Sequence, residues 1–133
     1  MPLWRLQEFI DAGQWILPAS HFLMDESPSH AAVRVARTWG GVRHPEPQFV
    51  VATSELFPTQ HWEGRGAARH RLNHWALCFV YEVRTDATPR KGPGWAELAF
   101  QPMGAFRTLP IGRGHGDLVR EYVKAKRSAA PAR

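Results

Sequence analysis

The chain has 133 residues, 44% of them apolar, with six tryptophans and seven phenylalanines, enough for one buried core and unlike an aromatic-poor disordered chain. Its one cysteine, Cys78, excludes an intrachain disulfide and a cysteine metal site, and nothing approaches the roughly 18 consecutive apolar residues of a membrane helix or the layout of a signal peptide, so a cytoplasmic protein with no membrane contact is expected. The net charge of +5, from arginines at Arg65 to Arg71, Arg84 to Lys91 and Arg120 to Arg133, suits a phosphate-bearing partner, although patches so scattered also fit plain solvated loop and tail charge.

Leu3 to Ile10 reads as a strand closed by a turn at Asp11 to Gly13, and Trp15 to Pro18 as a second short extended piece. Ser27 and Pro28 then start a helix. The serine oxygen accepts from free backbone N–H groups, and proline at the first helical position gives up no needed donor. The helix is expected to reach about Trp39, where Gly40 and Gly41 end it. A strand over Gln48 to Thr53 leads to a long loop, 57 to 72, of a length that is usually functional or mobile. His74 to Val83, apolar on both faces, is a strand in the middle of a covered sheet. Turn residues from Thr85 to Gly94 precede a strand at Trp95 to Gln101. Asp117 to Lys126 carries apolar residues at 118, 119, 122 and 123, the spacing of an amphipathic helix. One domain over 1–126 is expected, with 127–133 as a disordered tail; no internal repeat or linker divides it.

From Gly13 through Trp15, Leu17, Pro18, Ser20, Glu26 and Arg34 to Gly41 and Val42, the order of residues resembles the Nudix hydrolase family. The family's box is a glycine, five residues, a glutamate, seven residues, then Arg-Glu-aliphatic-any-Glu-Glu-any-Gly-aliphatic. Ser20 stands at the first glycine, Glu26 at the glutamate, Arg34 at the arginine, Ala36 at the aliphatic place, and Gly41 and Val42 close the motif with its spacing kept. The resemblance covers about four-fifths of the chain. It implies an α+β fold, a Nudix-like α/β/α sandwich with a mixed sheet. Since the first thirteen residues hold one strand at most, that sheet would be abbreviated at its N-terminal side. An exposed sheet edge is an aggregation hazard, so a homodimer is expected to cover it.

The departures fall where the family's chemistry sits. Its three glutamates after the box arginine coordinate magnesium on a diphosphate; those positions are Val35, Thr38 and Trp39 here. Positions i, i+3 and i+4 share a helix face. That face now reads Ala31, Val35, Thr38, Trp39 and Val42, a stripe suited to an apolar partner, because magnesium needs oxygen ligands.

Other constellations carry less. Seven histidines, with His70 and His74 four apart and His61 nearby, lack acidic or cysteine ligands at zinc-like spacing. Gly112 to Gly116 could offer N–H groups and Arg113 to an anion, but a flexible approach to the last helix explains it as well. Glu55, Glu63 and Glu82 could replace the lost ligands only by converging from separate elements.

The leading expectation is therefore a catalytically inactive Nudix-fold protein, without cofactor, that binds a nucleotide, another phosphate-bearing molecule or a protein partner. Candidate ligand-binding residues are His21, Glu26, Arg34, Arg37, Arg65, Arg69 and Arg71, any of which could instead face solvent. Two alternatives remain open: an active hydrolase of a nucleoside diphosphate-linked substrate with a relocated Mg2+ site, and an RNA-binding module in which loop arginines beside His61 and Trp62 neutralise and stack a strand.

Overall fold

The computed structural model describes residues 2–6, 13–57, 74–86, 95–112 and 114–129. Its first helix, α1, spans Pro28–Gly40, and both ends follow from local chemistry. The Ser27 hydroxyl accepts from the His30 N–H at 3.3 Å, and Pro28 occupies the first turn. Gly41 closes it in the left-handed region at φ 65°, with the Val42 N–H donating to the Ala36 carbonyl at 3.2 Å.

Five strands accompany it among the described residues: β1 (Pro2–Leu6), β2 (Trp15–Ile16), β3 (Gln48–Phe57), β4 (His74–Glu82) and β5 (Trp95–Phe100). A 3-10 turn at Met103–Arg107 precedes the second helix, α2 (His115–Ala129). β1 lies between β2 and β5, antiparallel to both, and β3 pairs antiparallel with β4. The parallel component that makes the architecture mixed is a bridge between Trp15 and Ile111. There the Trp15 N–H donates to the Pro110 carbonyl at 2.7 Å, and the Gly112 N–H donates to the Trp15 carbonyl at 2.9 Å.

Alternation along the strands decides which helix each side chain meets. Trp15 and Leu17 are buried against Leu118 and Val119 of α2, together with Cys78, Val80 and Ala99. Ile16, between them, packs with Trp39 of α1 and with Leu98. The two helices therefore lie on opposite sides of the strand layer, the α/β/α arrangement. Cross-strand partners share a face. Val51 opposite Val80, Thr53 opposite Cys78 and Glu55 opposite Ala76 are thus on the α2 side.

Several boundaries differ from expectation. β3 runs to Phe57, because it is paired over its length with β4. α2 starts at His115, where a turn from Gly112 through the left-handed Gly114 (φ 68°) feeds the helix. It also continues to Ala129, three residues into the expected tail, because Ala125 to Ala129 holds good helix formers and Lys126 and Arg127 complement the helix dipole. Most of the expected loop 57–72, most of the turn 85–94, and residues 130–133 lie outside the described residues. No described helix is long and apolar enough to cross a membrane.

Candidate functional site

The loop from Pro18 to Ser27 is fastened to α1 by one pair of side chains. Glu26 lies near the helix start, and Arg34 reaches back to it from two turns along. The Arg34 Nε donates to Glu26 Oε2 at 2.7 Å and its Nη2 to Glu26 Oε1 at 2.8 Å, a bidentate ion pair. The same guanidinium donates to the His21 carbonyl at 2.8 Å and to the Ser20 hydroxyl at 3.2 Å. Four of its five N–H groups are thereby engaged within the loop. Glu26 also accepts from the Leu23 N–H at 3.1 Å, while the Glu26 N–H donates to the Leu23 carbonyl. Hydrogen bonds from Arg34 hold the Glu26 carboxyl at about 2, well below its ordinary 4.5, and Glu26 in turn raises the Arg34 guanidinium. The chain turns through Asp25 at φ 61°, a left-handed position that a short polar residue tolerates.

Of the expected stripe, Ala31 is buried, Val35 and Val42 are half-buried, and Trp39 packs on Ile16. Thr38 departs from it and is exposed. It lines an open hollow with His30, Val33, Arg34 and Arg37. Val35, Thr38 and Trp39 supply one neutral hydroxyl where a magnesium ion would need carboxylate oxygens, so this donor set does not fit the ion. Among the described residues no three His, Cys, Asp or Glu side chains group as a metal site would require.

Nor do the strand carboxylates turn toward α1. Glu82 accepts from the Tyr122 hydroxyl at 2.6 Å and from Arg84 Nε at 3.0 Å, and it pairs with Lys126 Nζ at 3.2 Å. These contacts bind the end of β4 to α2 on the opposite side of the layer. The Tyr122 hydrogen bond, then that from Arg84, lowers the Glu82 carboxyl to about 2, and burial with Glu82 alongside raises the Tyr122 phenol to about 12. Glu55 shares the α2 side through its register with Ala76. Burial raises the Cys78 thiol, with Glu55 adding to the effect, so this cysteine is a core group and not a poised nucleophile. The alternative of a relocated metal site needs Glu55, Glu63 and Glu82 to converge; Glu55 and Glu82 lie on the α2 side of the layer, and Glu63 lies outside the described residues.

Four of the seven candidate ligand residues are described, and the structure brings them together along α1 and its preceding loop. Glu26 and Arg34 are committed largely to each other, Arg37 is exposed at the hollow, and the His21 side chain is exposed while its carbonyl accepts from Arg34. Arg65, Arg69 and Arg71 lie outside the described residues.

One residue escaped the sequence reading of the glycine-rich segment. His115 is buried, and its Nδ1 accepts from the Leu17 N–H at 2.8 Å. It thus ties the start of α2 to the Trp15 to Pro18 segment that leads into the loop. Nothing local in the sequence marks a contact across 98 positions.

No protein-family model matches the sequence, and no curated protein matches it. Solved structures do. The Nudix domain of Shewanella oneidensis NrtR, complexed with ADP ribose, superposes with a TM-score of 0.66 at 14% identity over 92% of this chain and 75% of that one. RenU, a Nudix hydrolase from M. Smegmatis, gives a TM-score of 0.67 at 16% identity, covering 99% of this chain and 78% of that one. At such identities the likeness establishes the fold: this chain has the Nudix fold.

Proposed function

We propose that this Nudix-fold chain is a binding module that has given up magnesium-dependent hydrolysis, and that its ligand is a nucleotide or another molecule carrying a diphosphate. The observation that carries the reading is Trp39, which packs on the buried Ile16 at a position where the resembled box places a metal-binding glutamate. The remaining carboxylates support it. Glu26 is held by Arg34, and Glu82 by Tyr122, Arg84 and Lys126.

For the ligand, the NrtR domain that superposes on this chain is one that binds ADP ribose. Here the hollow beside Thr38 offers the exposed Arg37 as its cation, with His30 at the same wall. A phosphate there would meet charge-assisted hydrogen bonds without a bridging ion. The Glu26–Arg34 pair positions the loop and makes no demand on the ligand. The test is a thermal-shift screen of ADP ribose, nucleotides, sugar nucleotides and coenzymes, each in magnesium and in EDTA. A ligand that binds only the folded state raises the melting temperature. The reading expects a shift that survives EDTA and is lost in Arg37→Ala; a shift that requires magnesium, with hydrolysis products, would favour the hydrolase.

A further inference from the structure

The β3–β4 hairpin has one side occupied by α2 and another that α1 and Phe22 cover only in part. Val51, Thr53, Cys78 and Val80 face α2, so alternation turns Ala52, Ser54, Leu77, Phe79 and Tyr81 the other way, with Phe49 opposite Tyr81. The Phe49 and Tyr81 rings meet edge to face at 5.7 Å. Phe22 reaches over from the loop before α1 to meet Phe79 in the same geometry, also at 5.7 Å. Leu23 and Met24, both exposed, follow directly in that loop and extend the apolar character of the sheet face along it.

That surface is open. Phe22 is 47% exposed, Leu23 57%, Met24 93%, Phe49 57% and Leu77 60%. At roughly 200 Å² of accessible area per large apolar side chain, these five alone leave about 600 Å² of apolar area uncovered, at the upper end of what a monomer exposes. None of the nine side chains is charged, in a protein of net charge +5.

We propose that this surface is the face through which two copies of the chain associate. Its size fits. Two such patches hidden face to face remove roughly 1,200 Å² before any rim is counted, the lower bound of a standard interface. Charge distribution favours the same occupant: two strongly basic molecules repel each other everywhere except across a charge-free face, and an uncharged apolar centre is the anatomy of a protein contact. Single-stranded nucleic acid would need cations among its stacking rings, and none of these nine described side chains supplies one. The Arg34 clamp matters as well, because Phe22 to Met24 project from a loop already held by four hydrogen bonds, which lowers the ordering cost of association.

Sedimentation velocity of the whole chain from low to high micromolar concentration tests this. The wild type is expected to sediment as a dimer, and Leu77→Glu and Met24→Glu, each burying an unpaired carboxylate in the contact, to weaken association roughly hundredfold or more. Both positions are exposed in the single chain, so both variants should keep the wild-type circular dichroism; should Leu77→Glu misfold, Met24→Glu decides. Ser128→Glu, at the far end of α2, is expected to stay dimeric. A wild type that is monomeric throughout, a dimer that survives both surface substitutions, or association only on adding single-stranded RNA would overturn the proposal.

Discussion

Placing glutamate one position at a time along α1 separates a packed helix face from an ion site. Trp39 is half-buried and packs on Ile16. Full removal of a buried tryptophan costs about 3–5 kcal/mol, so a ring covered on one side should cost about 2 kcal/mol when truncated. A carboxylate set down beside the buried Ile16 adds roughly 1–3 kcal/mol for unpaired burial. Trp39→Glu is therefore expected to lose on the order of 4 kcal/mol. Thr38→Glu, on the exposed side of the same turn, should stay within about 0.5 kcal/mol of wild type, and Val35→Glu should fall between them. Equilibrium urea unfolding reads all three as midpoint shifts at constant slope. The reasoning is refuted if Trp39→Glu is tolerated as well as Thr38→Glu. Residue 39 would then face a solvated cleft, and the steric objection to a metal there would be gone.

His115→Ala leaves the Leu17 N–H in the core without its acceptor, and should cost about 1–3 kcal/mol; an unchanged melting temperature would contradict the contact. Gly41→Ala forces a side chain into φ 65°, with about 1 kcal/mol of strain expected although nothing crowds the new Cβ, whereas Gly104→Ala, equally uncrowded and not in the left-handed region, should be close to neutral by the same unfolding assay. Glu26 and Glu82 are both held at about 2 against an ordinary 4.5. Because their folded values are lowered, their contribution is complete above about pH 4.5 and drains away as pH falls toward 2. Glu82→Gln should therefore flatten the loss of stability within that window, and an unaltered acid limb would count against the Tyr122 and Lys126 contacts. Arg34→Met should leave α1 folded but speed amide exchange at Leu23, the N–H that Glu26 accepts; unchanged protection there would mean the loop is held by other means.

α1 was legible from the chain because its ends are settled within a few residues, by Ser27 and Pro28 at one side and Gly41 at the other. The Nudix order of elements could likewise be read from the box spacing. Long-range pairings could not. The seven residues between Glu26 and Arg34 marked two motif positions, yet their meeting depends on the loop folding back over the helix, so two residues read as ligand contacts also engage each other. Thr38 belonged to an apolar stripe by spacing alone. The helix is covered on one side only, and 38 falls just beyond that cover, beside Arg34 and Arg37. For Glu82, position on a strand said nothing of which face it took; the register with β3 and the reach of Tyr122 decided it.

Manganese serves as a paramagnetic stand-in for magnesium, and its binding to the whole chain can be followed by the loss of the free-ion resonance. With Val35, Thr38 and Trp39 in place of oxygen ligands, titration should reveal no site tighter than millimolar, with or without Glu26→Gln. A micromolar site, one per chain and abolished by Glu26→Gln, would contradict the account at its root.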